Sequence, residues 1–191
     1  MNQCLSFENA RSAWEHMSAI SADNVIRNYS AVISMLDYLV TTDMFPLAVL
    51  DAYSTWNLEK KISDEQRLFF SEQRGGKQGD YREGMRHKIA NVVDCLTHFP
   101  KSKRALITIC NNSKPNHTSD DDAKCMREIH FWIDGASLHA SVFFRAQAAQ
   151  IFPKNIHCIG SLMQEVCNLL PQEIEPGSLY YHTTILVSDR S

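Results

Sequence analysis

Apolar residues recur at helical spacing in several parts of the chain. One such stretch covers residues 25–40, where apolar side chains stand three and four positions apart, and it predicts an amphipathic helix. The same spacing predicts helices over residues 86–98 and 155–170, and further helices over 7–20 and 45–56. Most of the predicted helices therefore lie in the first part of the chain.

Strand patterns are concentrated in the second part. Residues 105–110 form an unbroken apolar and β-branched run, and a last strand is predicted over 179–187. Between them, the runs 128–133 and 137–144 flank Asp134-Gly135, a pair that strongly favours a hairpin turn. Helices followed by mostly antiparallel strands predict an α+β fold, with a sheet packed against helices.

Two polar stretches, residues 57–86 and 111–124, are predicted to be loops. The first contains Gly75, Gly76 and Gly79. These glycines lack the Gly-Lys-Ser/Thr order of a phosphate-binding loop, and no apolar strand precedes them. We therefore expect a mobile loop there and no nucleotide-binding motif.

The composition fits one globular domain over residues 1–191, because 44% of the residues are apolar and 21% are charged. A net charge of −3 offers no basic field, so neither nucleic acid nor a membrane surface is an expected partner. No apolar stretch approaches the roughly 18 residues that span a bilayer, and no secretory signal pattern is present, which predicts a cytoplasmic protein. The six cysteines form no Cys-x-x-Cys pair and the eight histidines show no ligand spacing, so we expect free thiols and no metal ion.

One cysteine has chemically suggestive surroundings. Cys125 precedes the first predicted hairpin strand and Arg145 follows the second, so the hairpin returns the arginine to the cysteine. A guanidinium beside a thiol favours the thiolate, which is the nucleophilic form. Cys125 is therefore a candidate nucleophile, and the alternative is a small residue at a strand edge.

The order of motifs around this pair resembles the thymidylate synthase superfamily. That family has an active-site cysteine, a hairpin, an arginine, a Pro-x-Asn motif and a long helix. The corresponding residues here are Cys125, Asp134-Gly135, Arg145 and Pro153-Lys154-Asn155, followed by the predicted helix 155–170.

A weaker similarity extends towards the amino terminus. Lys103 and Arg104 stand in a segment similar to the family's Pro-x-Ser-Arg-Arg, and Tyr81 stands in one similar to its Tyr-Gly-x-x-x-Arg. Residues 36–39 and Trp56 fall where the family has a Leu-Leu-Trp-Phe-Leu helix and a tryptophan on the folate side.

The resemblance implies a thymidylate-synthase-like homodimer whose sheets form the interface, in a chain shorter than the family at both ends. Cys125 would add to C6 of a pyrimidine nucleotide, so that C5 can accept a one-carbon unit. Arg145 would bind the nucleotide phosphate, Lys103 and Arg104 would reach the phosphate bound by the partner subunit, and Asn155 would bind the pyrimidine edge.

Trp56 and Tyr81 would line the substrate site, and 5,10-methylenetetrahydrofolate is the cofactor that the resemblance implies. Several family residues are replaced, however. Ser34 occupies the helical position of the catalytic glutamate, and Ala148 that of an aspartate that contacts the folate pterin. The residues at the sugar-binding positions are Ile185, Val187 and Asp189, and a shifted alignment would use His182 instead.

Three functions remain open on this basis. The first is one-carbon transfer to C5 of a pyrimidine nucleotide. The second is a folate-independent reaction on another small anionic metabolite, such as substitution or ring closure. The third is a dimeric binding protein without catalysis.

Ordinary structural roles also remain open for the individual site residues. Trp56 and Tyr81 would then be packing residues, Lys103 and Arg104 part of a solvated turn, and Asn155 a helix cap.

Overall fold

The computed structural model describes residues 5–109 and 124–189, except for the side chains of residues 77 and 78. Its helices are α1 (Ala10–Ser21), α2 (Leu47–Asn57), α3 (Asp64–Arg67), α4 (Met85–His98) and α5 (Phe152–Leu169). Its strands are β1 (Leu5–Phe7), β2 (Ile26–Ser34), β3 (Leu106–Thr108), β4 (Met126–Asp134), β5 (Ser137–Phe144), β6 (Gln147–Ala148) and β7 (Glu175–Val187). Short 3-10 helices cover Glu72–Arg74, Gly76–Gly79 and Ala149–Ile151. Cys4, Cys110 and all of the predicted loop 111–124 except Lys124 lie outside the described residues.

The strands form one seven-stranded sheet in the order β1-β2-β7-β5-β4-β3, with β6 beside β7. β2 with β7, β5 with β4, and β4 with β3 pair antiparallel. β1 with β2, β5 with β7, and β6 with β7 pair parallel. The sheet is therefore mixed and packs with helices, which confirms the predicted α+β class.

Helices α1, α4 and α5 pack against one face of this sheet. Along β4, Ile129, Phe131 and Ile133 are buried, whereas the intervening His130 and Trp132 are only partly buried. This alternation is what a strand shows when one of its faces is packed and the other is not. The core therefore lies between the sheet and the three helices.

Residues 25–40 form a strand and a loop, so the helix predicted there is wrong. Along β2, Tyr29, Ala31 and Ile33 are buried in alternation with residues that are partly or fully exposed. A period of two places one set of side chains against the helices, and antiparallel pairing with β7 satisfies the backbone. Tertiary pairing therefore decides the conformation of this stretch.

The other predicted helices are present with shifted bounds. α1, α2 and α4 overlap the predicted stretches 7–20, 45–56 and 86–98. α5 begins at Phe152, so Asn155 lies inside the helix and does not cap it. α3 and two 3-10 helices occupy part of the polar stretch that was predicted to be a loop.

The predicted β4–β5 hairpin is confirmed, with its turn one residue later than expected. Asp134 pairs with Ser137, so the two turn residues are Gly135 and Ala136. Gly135 has φ of +60°, a conformation that favours glycine. The last strand, β7, begins at Glu175, earlier than predicted.

Candidate active site

A cavity of about 220 Å³ opens where the hairpin strands end, beside the first turn of α5. Four predicted site residues line it: Tyr81 before α4, Cys125 before β4, Arg145 after β5 and Asn155 in α5. We call it the Cys125 cavity. Residues that are far apart in the sequence therefore meet in one small space.

The hairpin accounts for the meeting of Cys125 and Arg145. The backbone N–H of Arg145 donates to the carbonyl oxygen of Cys125 at 2.9 Å. The Arg145 side chain is also held, because its Nε–H donates to the carbonyl oxygen of Lys124 at 3.3 Å. The thiol of Cys125 and the guanidinium of Arg145 therefore line one cavity, at the ends of two neighbouring strands.

Tyr81 is buried next to Cys125. Its backbone N–H donates to Oδ1 of Asn57 at 2.7 Å, which fixes the segment before α4. Burial first, and then the Cys125 and Cys158 thiols, raise the pKa of Tyr81 well above its usual value, although Arg145 acts in the opposite direction. The phenol therefore stays protonated at neutral pH and serves as a hydrogen-bond donor.

A buried amide network orients Asn155. Nδ2 of Asn155 donates to Oε1 of Gln147 at 2.9 Å, and the Tyr181 hydroxyl donates to the same oxygen at 2.9 Å. Nε2 of Gln147 donates to the carbonyl oxygen of Ala148 at 2.6 Å, which determines the direction of the Gln147 amide.

The other end of the Asn155 amide is unsatisfied. Its Oδ1 is buried and has no hydrogen-bond partner within residues 5–109 and 124–189. Buried polar atoms normally have a partner, and an unpaired one costs about 1–3 kcal/mol. Asn155 therefore offers an acceptor to an N–H or O–H group of a ligand.

Lys154 also lines the Cys125 cavity. It is only 2% exposed, and no other Lys, Arg, Asp or Glu is buried in the described part of the chain. Its Nζ donates to the carbonyl oxygen of Arg74 at 2.8 Å and lies 4.7 Å from the centre of the Tyr53 ring. Taking an ammonium group out of water costs on the order of several kcal/mol, so the fold holds this cation in the cavity at a price in stability.

Two glycines make room for the Lys154 ammonium group. Gly75 and Gly79 approach Nζ so closely that a Cβ atom at either position would overlap it. Gly75 also has φ of +107°, which a side chain disfavours. The glycine-rich segment therefore forms a wall of the Cys125 cavity.

Trp56 lies in a second cavity of about 330 Å³, which shares Gly79 with the first. Part of its wall is aromatic, because Tyr53 stacks on Phe70 with ring centres 4.2 Å apart, and both line the cavity beside Trp56. Polar and charged residues line the rest, among them Glu72 and Asp80. The Arg82 guanidinium lies 3.8 Å from the centre of the Trp56 ring. We call this the Trp56 cavity, and it adjoins the Cys125 cavity.

Lys103 and Arg104 lie elsewhere. Both are exposed and line a surface depression together with residues 98–102, after the end of α4. They do not line the Cys125 cavity. Their role at the phosphate of a partner subunit stays a prediction.

The structure also locates the residues that the sequence analysis aligned with replaced thymidylate synthase residues. Ser34 ends strand β2, so it does not occupy a helical position, and it does not line the Cys125 cavity. Ala148 and Asp189 do line the cavity. His182 lies on the opposite face of the sheet, where its Nδ1 is 2.7 Å from Oγ of Ser30, so it does not serve as a sugar contact in the cavity.

Sequence analysis assigned no role to Gln147 or Lys154. Lys154 had a weak signal, because it stands next to Pro153 and Asn155 in a motif that was singled out for other reasons. Helix α5 is buried on all sides from Phe152 to Gly160, so Lys154 and Asn155 in its first turn lie in the interior.

A serine, a histidine and an aspartate also meet between α2 and α5. Nδ1 of His157 is 2.7 Å from Oγ of Ser54, and its Nε2 is 3.7 Å from Oδ1 of Asp51. Ser54 and His157 are 3% and 6% exposed and line neither cavity. This group therefore links two helices and offers no accessible nucleophile.

Acid is expected to destabilise the protein through His157. Burial lowers the pKa of His157 below 6.5, although Asp51 and the Leu50 backbone act in the opposite direction. The unfolded chain therefore binds a proton at higher pH than the folded chain, and stability is lost as the pH falls through about 6.5. Urea unfolding at about pH 7.5 and 5.5 measures this loss, which should be smaller in His157→Gln. His98→Gln, at an exposed position, should behave like the unaltered protein, and equal losses in all three would contradict the assignment.

Comparison with models of protein families gives no match, and no curated protein is found to be similar to the sequence. Within the described residues, no group of three or more His, Cys, Asp or Glu side chains could hold a metal ion. No helix in that part of the chain is long and apolar enough to cross a membrane. Function is therefore inferred from the residues of the two cavities.

Proposed function

We propose that the chain is a thymidylate-synthase-like enzyme, which transfers a one-carbon unit to C5 of a pyrimidine nucleotide through a cysteine adduct. The observation that carries this proposal is the meeting of Cys125, Arg145 and Asn155 in one small cavity. They supply a nucleophile, a cation for the phosphate and a polar group for the edge of the base.

The three residues divide the binding of such a nucleotide among them. A charge-assisted contact from Arg145 to the phosphate contributes about 1.5–3 kcal/mol. Oδ1 of Asn155 accepts an N–H of the ring, and the hydrogen bond from Nδ2 to Gln147 holds the amide in place before the ligand arrives. The Asn155 side chain therefore loses little conformational entropy when the ligand binds, which favours affinity.

The chemistry follows from the thiolate. Sγ of Cys125 forms a bond to C6, and the electron pair of the C5–C6 double bond moves through C4 onto O4 of uracil or N3 of cytosine. C5 then becomes nucleophilic and takes either a proton or the one-carbon unit. Loss of the original C5 hydrogen and breaking of the S–C6 bond restore the double bond and the thiolate.

The flat ring system of 5,10-methylenetetrahydrofolate would stack on the rings of Tyr53, Trp56 and Phe70, which line the Trp56 cavity together with polar and charged residues. These residues would hold the cofactor, which supplies the one-carbon unit when bound. Ala148 offers no carboxylate to the pterin, so the polar contacts would differ from those of the family.

Tritium release from C5-labelled dUMP or dCMP tests the proposal, because release needs only addition at C6 and exchange at C5. We expect release with at least one of the two nucleotides, and a product heavier by one carbon when 5,10-methylenetetrahydrofolate is present. No release from either nucleotide, with and without the folate, would contradict the proposal.

A folate-independent reaction on another small anionic metabolite is the second candidate. The lack of a carboxylate at Ala148 favours it, since this residue lines the cavity where the resemblance implies an aspartate. Cys125 and Arg145 would then act on a different electrophile that carries an anionic group. Native mass spectrometry distinguishes this case, because a metabolite that adds to the protein should be lost in Cys125→Ser.

We also propose that the outward face of the sheet forms a homodimer interface. Leu106, Phe143 and Tyr180 are 42%, 36% and 47% exposed on this face, and the Trp132 ring lies 5.6 Å from that of Tyr180. Partly exposed aromatic and aliphatic side chains gathered on one face are typical of protein–protein interfaces. Sedimentation equilibrium tests the proposal, and a monomer at all micromolar concentrations would contradict it.

A further inference from the structure

Lys154 has no part in the function proposed above. We propose that its ammonium group binds a carbonyl oxygen of the ligand and stabilises the negative charge that forms on this oxygen when Cys125 adds to the ligand. The inference rests on the proposed thiolate addition. It narrows the ligand to a molecule whose carbonyl group is conjugated to the carbon that is attacked.

The position of Lys154 is the first observation. It lines the same cavity as Cys125, and this cavity of about 220 Å³ is small enough for one ligand to contact both residues. Cys125 approaches from the sheet and Lys154 from the first turn of α5. A molecule bound between them would present different atoms to the sulfur and to the nitrogen.

The environment of Lys154 is the second observation. Gly75 and Gly79 leave space for Nζ, the Arg74 carbonyl oxygen accepts one of its hydrogen bonds, and the Tyr53 ring lies beneath it. An ammonium group has three N–H donors, and Lys154 lines the cavity, so a ligand oxygen in the cavity can approach this group. The surroundings fix the cation in one place, which a group that stabilises developing charge requires.

The two cations of the cavity suit different tasks. The planar guanidinium of Arg145 matches a phosphate or carboxylate, whereas the ammonium group of Lys154 acts as a compact point charge. When the thiolate forms a bond to the β-carbon, the double-bond electrons move onto the carbonyl oxygen and produce an enolate. Lys154 stabilises this oxyanion until the α-carbon takes a proton from water and the carbonyl re-forms.

Two thiol reagents distinguish stabilisation of the enolate oxygen by Lys154 from an effect of Lys154 on the Cys125 thiolate. Acrylamide adds through an enolate, whereas iodoacetamide loses iodide by direct displacement and develops no charge on its carbonyl oxygen. Both require the Cys125 thiolate, so the ratio of their rate constants cancels any effect of Lys154 on thiolate population. The rate constants at Cys125 are measured by peptide mass spectrometry, with the partly buried Cys95 on α4 as the internal control.

We expect Lys154→Gln to lower the acrylamide rate at Cys125 by at least about tenfold relative to the iodoacetamide rate, because it removes an oxyanion-stabilising charge. Gln keeps a donor for the Arg74 carbonyl, and Lys154→Met provides a second neutral variant if the first unfolds. Lys154→Arg should keep most of the ratio. An unchanged ratio in the neutral variants would overturn the proposal, whether both rates fall together or neither does.

The tritium-release assay distinguishes a failure of this inference from a failure of the proposed function. If the unaltered protein exchanges C5 tritium, Lys154→Gln should lower kcat strongly and KM little, because the charge exists only after addition. A loss confined to KM would overturn the inference and leave the proposed function standing. If the unaltered protein exchanges no tritium, the proposed function fails, and the reagent ratio still decides the role of Lys154.

Discussion

Replacing Cys125 with serine is expected to lower C5 tritium release at least about a thousandfold, because a nucleophile and the groups that act with it fail together when the nucleophile is lost. A serine hydroxyl in this place would lose its proton far less readily than a thiol, and the Arg145 cation cannot make up the difference. Release from labelled dUMP and dCMP, measured at several nucleotide concentrations, gives kcat and KM separately.

Nucleotide binding should survive this change. Arg145 and Asn155 keep their backbone and side-chain hydrogen bonds in Cys125→Ser, since none of these bonds uses the sulfur. Isothermal titration should therefore give a dissociation constant within a few-fold of the original. Cys95→Ser is the matched control and should retain full release. Release that persists in Cys125→Ser would mean that another group is the nucleophile.

The elements that the sequence predicted well are those whose local signals agree with their tertiary surroundings. Gly135 has the positive φ that its turn requires, and the flanking strands alternate as an antiparallel pair should. α4 shows a helical period and buries one side, with Ile89, Val92 and Leu96 in the core. In both cases the pattern along the chain and the packed face coincide.

The helix predicted over residues 25–40 is wrong because this run of apolar residues includes both strand residues and residues outside the strand. Val25 and Leu36 are 58% and 69% exposed, so the spacing that suggested a helix combines strand residues with residues outside the strand. The buried positions Ala31 and Ile33 alternate, and pairing with β7 stabilises them. The match of Ser34 to a helical glutamate depended on this helix, so it is wrong for the same physical reason.

The site residues also differ in whether the sequence could predict them. The hairpin determines the meeting of Cys125 and Arg145, and a hairpin is visible in sequence because its contacts are local. Gln147 and Lys154 could not be found in this manner. Polar residues of these types are mostly exposed, and their burial here depends on the packing of α5 and on the approach of the segment around Gly79.

Replacing Gln147 with leucine is expected to cost about 2–6 kcal/mol of folding free energy, because two buried groups lose their partner at about 1–3 kcal/mol each. Leucine fills the same site and carries no hydrogen-bonding group. The orphaned groups are Nδ2 of Asn155 and the Tyr181 hydroxyl, both of which donate to Oε1 of Gln147. Urea unfolding at neutral pH measures the loss.

Tyr181→Phe is the matched control, because it removes only the hydroxyl and leaves the amide pair intact, at an expected cost of about 1 kcal/mol. In Gln147→Leu/Tyr181→Phe no hydroxyl is orphaned, so the double variant should lose less stability than the sum of the single losses. Nucleotide binding should weaken in Gln147→Leu, where Asn155 is free to rotate, and stay close to its original strength in Tyr181→Phe. Additive losses, or equal binding in the two single variants, would mean that Gln147 does not orient Asn155.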